Sequence, residues 1–128
     1  MYFYFYFERN MRGLDPYLLR GGEAFAIPGK TEFMTQMSTD ARKPVHYTVR
    51  VTYEVNDEGF DKWSLMPTIT FRPPGRSELV IALHYDHGVD DLQYVSPYAA
   101  SYVLGQLDRK NFYSTIRANF TLTPNLSL

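Results

Sequence analysis

The chain has 128 residues, 16% of them aromatic, with no cysteine and a formal net charge of -1. That length allows one domain at most, or a fragment of a larger one. The near-neutral charge excludes a nucleic-acid binder working through bulk electrostatics, and the missing cysteines exclude a disulfide scaffold, a thiolate metal site and a cysteine nucleophile.

Residues 2 to 8 predict a strand, with Phe3, Phe5 and Phe7 on one face and Tyr2, Tyr4 and Tyr6 on the other. The apolar run Met1 to Phe7 is far short of the roughly 20 residues of a membrane-spanning helix. Met1-Tyr2-Phe3 also lacks the basic start of a signal peptide. This fits a cytoplasmic chain, an internal piece of an exported one, or a chain whose natural N-terminus is missing. A long connection follows from Asn10 to Pro28, with a short turn expected at Asp15-Pro16-Tyr17-Leu18-Leu19. Within it, Arg20-Gly21-Gly22-Glu23 has two glycines free to take positive φ. That suits a loop folding into a barrel mouth, with Arg20 pairing an interior carboxylate. No Lys-Ser/Thr follows to make a phosphate loop.

Residues 30 to 39 alternate weakly and predict a second strand. The third is clear: Tyr47, Val49, Val51, Tyr53 and Val55 face one way, and Thr48, Arg50, Thr52 and Glu54 the other. The fourth sets Trp63, Leu65, Pro67, Ile69 and Phe71 against Ser64, Met66, Thr68, Thr70 and Arg72. The fifth sets Leu79, Ile81, Leu83 and Tyr85 against Glu78, Val80, Ala82, His84 and Asp86. The sixth sets Phe112, Ser114, Ile116, Ala118, Phe120 and Leu122 against Tyr113, Thr115, Arg117, Asn119 and Thr121. Leu126-Ser127-Leu128 begins another. No segment has a good helical period.

Turn residues at 39–44, 56–59, 73–76 and 123–125 separate these strands. Placing the Pro-containing turns at one end requires long strands from about Ser77 to Val95 and from about Ser101 to Leu122. The longer connections then gather at the other end, as in outer-membrane barrels. Aromatics also bracket the apolar stripes, Tyr47 with Tyr53 and Trp63 with Phe71, as two interfacial girdles would. The fold expected is an all-β, antiparallel up-and-down meander forming part of a transmembrane β-barrel. The alternative is a soluble β-sandwich, which also has one apolar face per strand. In the barrel reading, Tyr47, Val49, Val51, Tyr53, Trp63, Leu65, Ile69, Phe71, Leu79, Ile81 and Leu83 face lipid. Arg50, Glu54, Arg72, His84 and Arg117 face the lumen. Residues 1–128 form one sheet unit. Six strands and a stub fall below the eight of the smallest barrels, so further strands are expected from a larger chain, other copies or another protein.

His84, Asp86, His87, Asp90 and Asp91 are the one dense cluster of metal-capable groups. His84 and Asp86 share a strand face, and His87 points the other way unless the chain bulges at Gly88. A catalytic zinc site wants three convergent ligands, and carboxylates could instead hold calcium in a loop. The plainer expectation is a solvated strand end with no metal and no cofactor. Asp57-Glu58 and Asp90-Asp91 are expected as solvated turn charges. Asp40, Arg42 and Lys43 form a charged turn, where a surface pair contributes little. Tyr94, Tyr98 and Tyr102 crowd one loop, as packing or as a sugar contact. No serine sits in a nucleophile elbow, so no enzymatic activity is expected.

Ordered motifs run from Leu19-Arg20-Gly21-Gly22 and Pro28-Gly29 through Ser38-Thr39-Asp40-Ala41-Arg42-Lys43-Pro44 and Phe71-Arg72-Pro73. They continue with Gln93-Tyr94-Val95 and Leu107-Asp108 and end in Phe120-Thr121-Leu122-Thr123-Pro124-Asn125-Leu126-Ser127-Leu128. This order resembles a family of large exported proteins of Gram-negative bacteria. These join a module similar to family 9 carbohydrate-binding modules to a C-terminal region that looks like an outer-membrane β-barrel. The resemblance implies an outer-membrane location, lipid and further strands as partners, and a scaffold, pore-wall or anchoring role linked to glycan handling. A soluble module that pairs through its edge strands is the alternative.

Overall fold

The computed structural model describes residues 1–19, 24–75, 77–98, 101–123 and 126–127. Side chains are described at all of these except 90–94, 96–98, 101–102, 121–123 and 126–127. The elements are β1 (Tyr2–Asn10), β2 (Gly13–Asp15), β3 (Phe25–Ile27), β4 (Lys30–Ser38), β5 (Val45–Asn56), β6 (Asp61–Phe71), β7 (Ser77–Tyr98), β8 (Ser101–Thr123) and β9 (Leu126–Ser127). Seven form one sheet in the order β1-β4-β5-β6-β7-β8-β9, and β2 pairs with β3 in a separate two-stranded sheet. Each neighbouring pair is antiparallel. The fold is therefore the all-β meander expected. It is not closed, and β1 and β9 are its edges.

The strand boundaries follow the turn chemistry. After β5, the Asn56 Oδ1 accepts from the backbone N–H of Glu58 at 3.0 Å and of Phe60 at 2.9 Å. Gly59 closes that turn at φ +87, and Gly75 turns the chain before β7 at φ +119. Both are left-handed conformations that a Cβ disfavours. Before β5, the Asp40 Oδ1 accepts from the Arg42 backbone N–H at 3.0 Å. β7 and β8 outrun the sheet: β6 pairs with β7 as far as Lys62 opposite Gly88, whereas β8 pairs on to Tyr98. Beyond Gly88 they form a two-stranded ribbon, with register shifts between Asp90 and Gln93 and between Tyr94 and Ser96.

The region from Met11 to Gly29 is where sequence and structure differ most. It was expected as a long connection with a short turn. The turn is there, at Pro16 to Leu19, but β2 and β3 form a hairpin around it. The two three-residue strands are too short for a period-two pattern to emerge. The excursion packs back on the chain, and Leu19, 6% exposed, is the buried apolar residue of the described structure.

The apolar face is the more open of the two. Large apolar side chains on one face stay open: Tyr47 48%, Ile69 42%, Phe112 69% and Ile116 71% exposed. Polar side chains on the other face are sheltered, with Ser38 at 8% and Thr70 at 7%. A water-soluble sheet of this size would bury its apolar face against a second layer, and no second layer covers this one among the described residues.

Candidate functional site

Register assembles the apolar face from single residues. Phe7 stands opposite Phe33, Phe33 opposite Tyr53, and Tyr53 opposite Trp63. The Phe7 and Phe33 rings are 5.2 Å apart. Trp63 then meets Tyr85 diagonally, with ring centroids at 5.0 Å, and Tyr85 pairs with Phe112. Tilted contacts at these distances are favourable aromatic geometry. Together they make an aromatic row across all six long strands. On its open-turn side lie Phe5, Val51 and Leu65, then Phe3, Val49 and Pro67, then Ile69, Ile81 and Ile116. All eleven residues read as lipid-facing from the sequence lie on this one face: Tyr47, Val49, Val51, Tyr53, Trp63, Leu65, Ile69, Phe71, Leu79, Ile81 and Leu83. The row itself was missed beyond Tyr53 and Trp63, because Phe7, Phe33, Tyr85 and Phe112 meet only through pairing between strands.

The opposite face is a hydrogen-bonded polar surface. Arg50 donates from Nε and Nη2 to Gln36 Oε1, at 3.0 and 2.8 Å. Arg72 donates from Nε to Glu78 Oε2 at 2.6 Å and from Nη1 to the Ala41 carbonyl at 3.0 Å. Lys30 Nζ pairs with Glu54 Oε2 at 2.9 Å. Arg117 stands opposite Val80. Thus Arg50, Glu54, Arg72, His84 and Arg117 share the face that the period-two reading gave them, four of them by strand register and Arg72 by its step from Thr70.

One row on this face is charged at every position but Gly88. Glu8 is opposite Glu32, Glu32 opposite Glu54, Glu54 opposite Lys62, Lys62 opposite Gly88, and Gly88 opposite Arg109. Like charges directly opposite each other are unfavourable. Partners from adjacent rows offset this: Tyr6 O–H and Asn10 Nδ2 bond Glu8, and Lys30 holds Glu54. A cleft of about 250 Å³ lies here, bounded by Glu32, Glu54, Lys62, Ser64, His84 and Asp86 among others.

The described members of the metal-capable cluster, His84, Asp86 and His87, do not converge. Asp86 Oδ1 accepts from His84 Nε2 at 3.0 Å, and Asp86 Oδ2 accepts from Asn111 Nδ2 at 2.8 Å. His84 stacks on Tyr113 with centroids 4.5 Å apart, and its Nδ1 is buried without a partner. His87 lies on the other face, opposite Lys110, and bonds Asp108 Oδ1 at 3.1 Å. The chain does not bulge at Gly88; the shift comes after Asp90. Among the described residues no three His, Cys, Asp or Glu side chains are grouped to hold a metal. Asp90 and Asp91 lie within β7 and not in a turn. The side chains of Asp90, Asp91, Tyr94, Tyr98 and Tyr102 fall outside the described residues, as do Arg20, Gly21, Gly22, Glu23, Arg76, Pro124, Asn125 and Leu128.

Asp57 is the largest departure from the sequence reading. Expected as a solvated turn charge, it ties the root of the excursion to the β5–β6 turn. Arg9 Nη2 approaches its Oδ1 at 2.5 Å, and Arg12 Nε its Oδ2 at 3.6 Å. The Gly29 N–H donates to Oδ2 at 3.1 Å, while the Asp57 N–H donates to the Gly29 carbonyl at 2.9 Å. The Arg9 guanidinium, with lesser help from the Gly29 N–H and Arg12, holds the Asp57 carboxyl below the ordinary carboxylate range. Arg42 does the same to Asp40 in the opposite turn. Gly29 has no room for a Cβ, which would sit 2.9 Å from the Asn10 carbonyl oxygen. No sequence signal marks Asp57, since its partners are 48 and 28 residues away.

A family described as a domain of unknown function (DUF5916) matches residues 1–128. The chain belongs to that family. No curated protein and no solved structure matches it. Among the described residues no helix is long and apolar enough to cross a membrane, which says nothing of strands.

Proposed function

We propose that this chain is wall of a transmembrane β-barrel in the outer membrane of a Gram-negative bacterium, with a non-enzymatic role as scaffold, pore wall or anchor. The observation that carries this reading is the inverted burial. Large apolar side chains are exposed along one face of six strands, and serine and threonine are buried on the other. Hydrocarbon is the solvent in which that arrangement is favourable.

The dimensions support it. Trp63 to Phe71 is eight residue steps, about 26 Å along an extended strand. At a tilt of about 40° this is about 20 Å along the membrane normal, near the roughly 25 Å apolar band of such barrels. The aromatic row then lies at one interface, with the Asp57 clamp and the β7–β8 ribbon beyond it in water. The alternation of directions adds a constraint. Six antiparallel steps separate β1 from β9, so the two edges run the same way. Antiparallel closure takes an odd number of further strands between them.

The test is light scattering coupled to size exclusion, with and without detergent. The expected result is aggregation in buffer and a defined particle in detergent. A monodisperse particle of 14.9 kDa in plain buffer overturns the reading in favour of a soluble sheet.

A further inference from the structure

β1 is an open edge of the sheet, and among the described strands β4 alone pairs with it. Alternate residues of a strand turn their N–H and C=O to opposite sides. About half of the β1 backbone groups therefore point away from β4. Edges that stay free in native proteins are blunted by bulges, prolines or lysines. β1 is not. Its register with β4 runs unbroken from Tyr2 opposite Ser38 to Asn10 opposite Lys30. Tyr2 to Phe7 holds no proline, glycine or charge.

The two faces of β1 define what a strand laid on this edge must carry. Phe3, Phe5 and Phe7 are 65%, 60% and 54% exposed on the outer face. Apolar residues directly opposite would cover their open flanks. Tyr2, Tyr4 and Tyr6 share the polar face with Glu8, where hydroxyl-bearing residues fit. Glu8 sets the charge. Glu32 lies directly opposite it on β4, and no described cation pairs with either. Lys30, on the same face, is held by Glu54 at 2.9 Å. Tyr6 and Asn10 bond Glu8 but bring no charge. A cation opposite Glu8 on the open side would offset its repulsion from Glu32.

We infer that β1 accepts a partner strand antiparallel to it, alternating apolar and hydroxyl-bearing residues, with Lys or Arg opposite Glu8. This rests on the wall proposal, and it names the chemistry of the strand that continues the wall. A second copy of the chain does not meet the description. In the same membrane orientation its β9 runs parallel to β1. An inverted copy, paired β1 to β1 with faces aligned, sets only Tyr2, Tyr4, Tyr6, Glu8 or Asn10 opposite Glu8. None of these is a cation. A slip of one residue would put phenylalanine on the polar face.

The experiment is amide hydrogen exchange by NMR on the whole chain in detergent, titrated with the peptide Thr-Lys-Val-Thr-Val-Thr-Val-Thr-amide. Laid antiparallel to β1, its Lys meets Glu8 when its valines meet Phe7, Phe5 and Phe3. The expected result is slowed exchange at every second amide of β1, the ones not bonded to β4. Replacing the peptide Lys by Glu should weaken binding about two- to thirtyfold. Glu8→Lys should reverse that order. Glu8→Gln should erase it, and serves if the lysine variant fails to fold. No alternate protection at millimolar peptide overturns the acceptor edge. Equal affinity of the parent chain for the two peptides, or an order unchanged in a folded Glu8 variant, overturns the partner's charge. Protection already present without peptide, with cross-links between copies at β1, gives the edge to a second copy and overturns the partner. Failure of the wall proposal reads differently: the chain is then monodisperse without detergent, whether or not the β1 amides respond.

Discussion

Replacing Val51 by Arg distinguishes lipid from water on the outer face by sign as well as by size. Val51 is 37% exposed and lies in the row Phe5, Thr35, Val51, Leu65, Tyr85, Phe112. Val51 is two residues from Tyr53 and four from Tyr47, so it is near the middle of the apolar band. An Arg at the midplane of a barrel wall costs about 2–4 kcal/mol. At about 1.4 kcal/mol per factor of ten, membrane assembly should fall roughly 30- to 700-fold. In water the same change would replace an exposed apolar side chain with a charged one and leave stability within about 0.5 kcal/mol. Thr52→Arg is the internal control. Thr52 lines the polar cleft beside Glu32 and Glu54, where a guanidinium meets carboxylates, and its effect should stay within about 0.5 kcal/mol. The assay is the fraction of urea-denatured chain that folds into lipid vesicles on dilution, recovered by flotation. Equal recovery of the two variants refutes the assignment of faces, and Val51→Arg that turns up as soluble monomer refutes the lipid.

Three further outcomes follow from named contacts. Vesicle-bound chain should show its single tryptophan, Trp63, quenched more by lipids brominated near the headgroup than near the chain ends; the reverse order would remove Trp63 from an interface. Asp57→Asn should make the excursion from Met11 to Pro28 the first site of limited proteolysis at neutral pH. In the parent chain the Asp57 carboxyl is depressed by Arg9, so its contribution is full above the ordinary carboxylate range, about pH 4, and is lost as pH falls through the lowered value. Protection that declines well above pH 4 would put the clamp elsewhere. Gly88→Ala should lower the urea midpoint by about 1–3 kcal/mol of stability, because its Cβ would stand 2.8 Å from the Lys62 Cα and 2.2 Å from its Cγ. An unchanged midpoint would mean β6 and β7 separate there at little cost.

The alternation of Tyr47 to Val55 and of Trp63 to Phe71 determined by itself that these segments are strands and which side chains share a face. Period two is a property of one extended chain, so it needs no partner to be read. The turn residues, Asn56 to Gly59 and Asp40 to Pro44, likewise set the hairpins through bonds to their own neighbours. Even the long β7 and β8 were legible, because the parity of the turns required them. What only tertiary structure decided is everything that depends on register. Phe7, Phe33, Tyr53 and Trp63 come into line only when four strands pair in one way, and Glu8, Glu32 and Glu54 stack for the same reason. The β2–β3 hairpin is too short to carry a period, and Asp57 looks like any turn carboxylate until Arg9 and Gly29 arrive. Those contacts span tens of residues, and a linear pattern holds no record of which distant partner a strand will choose.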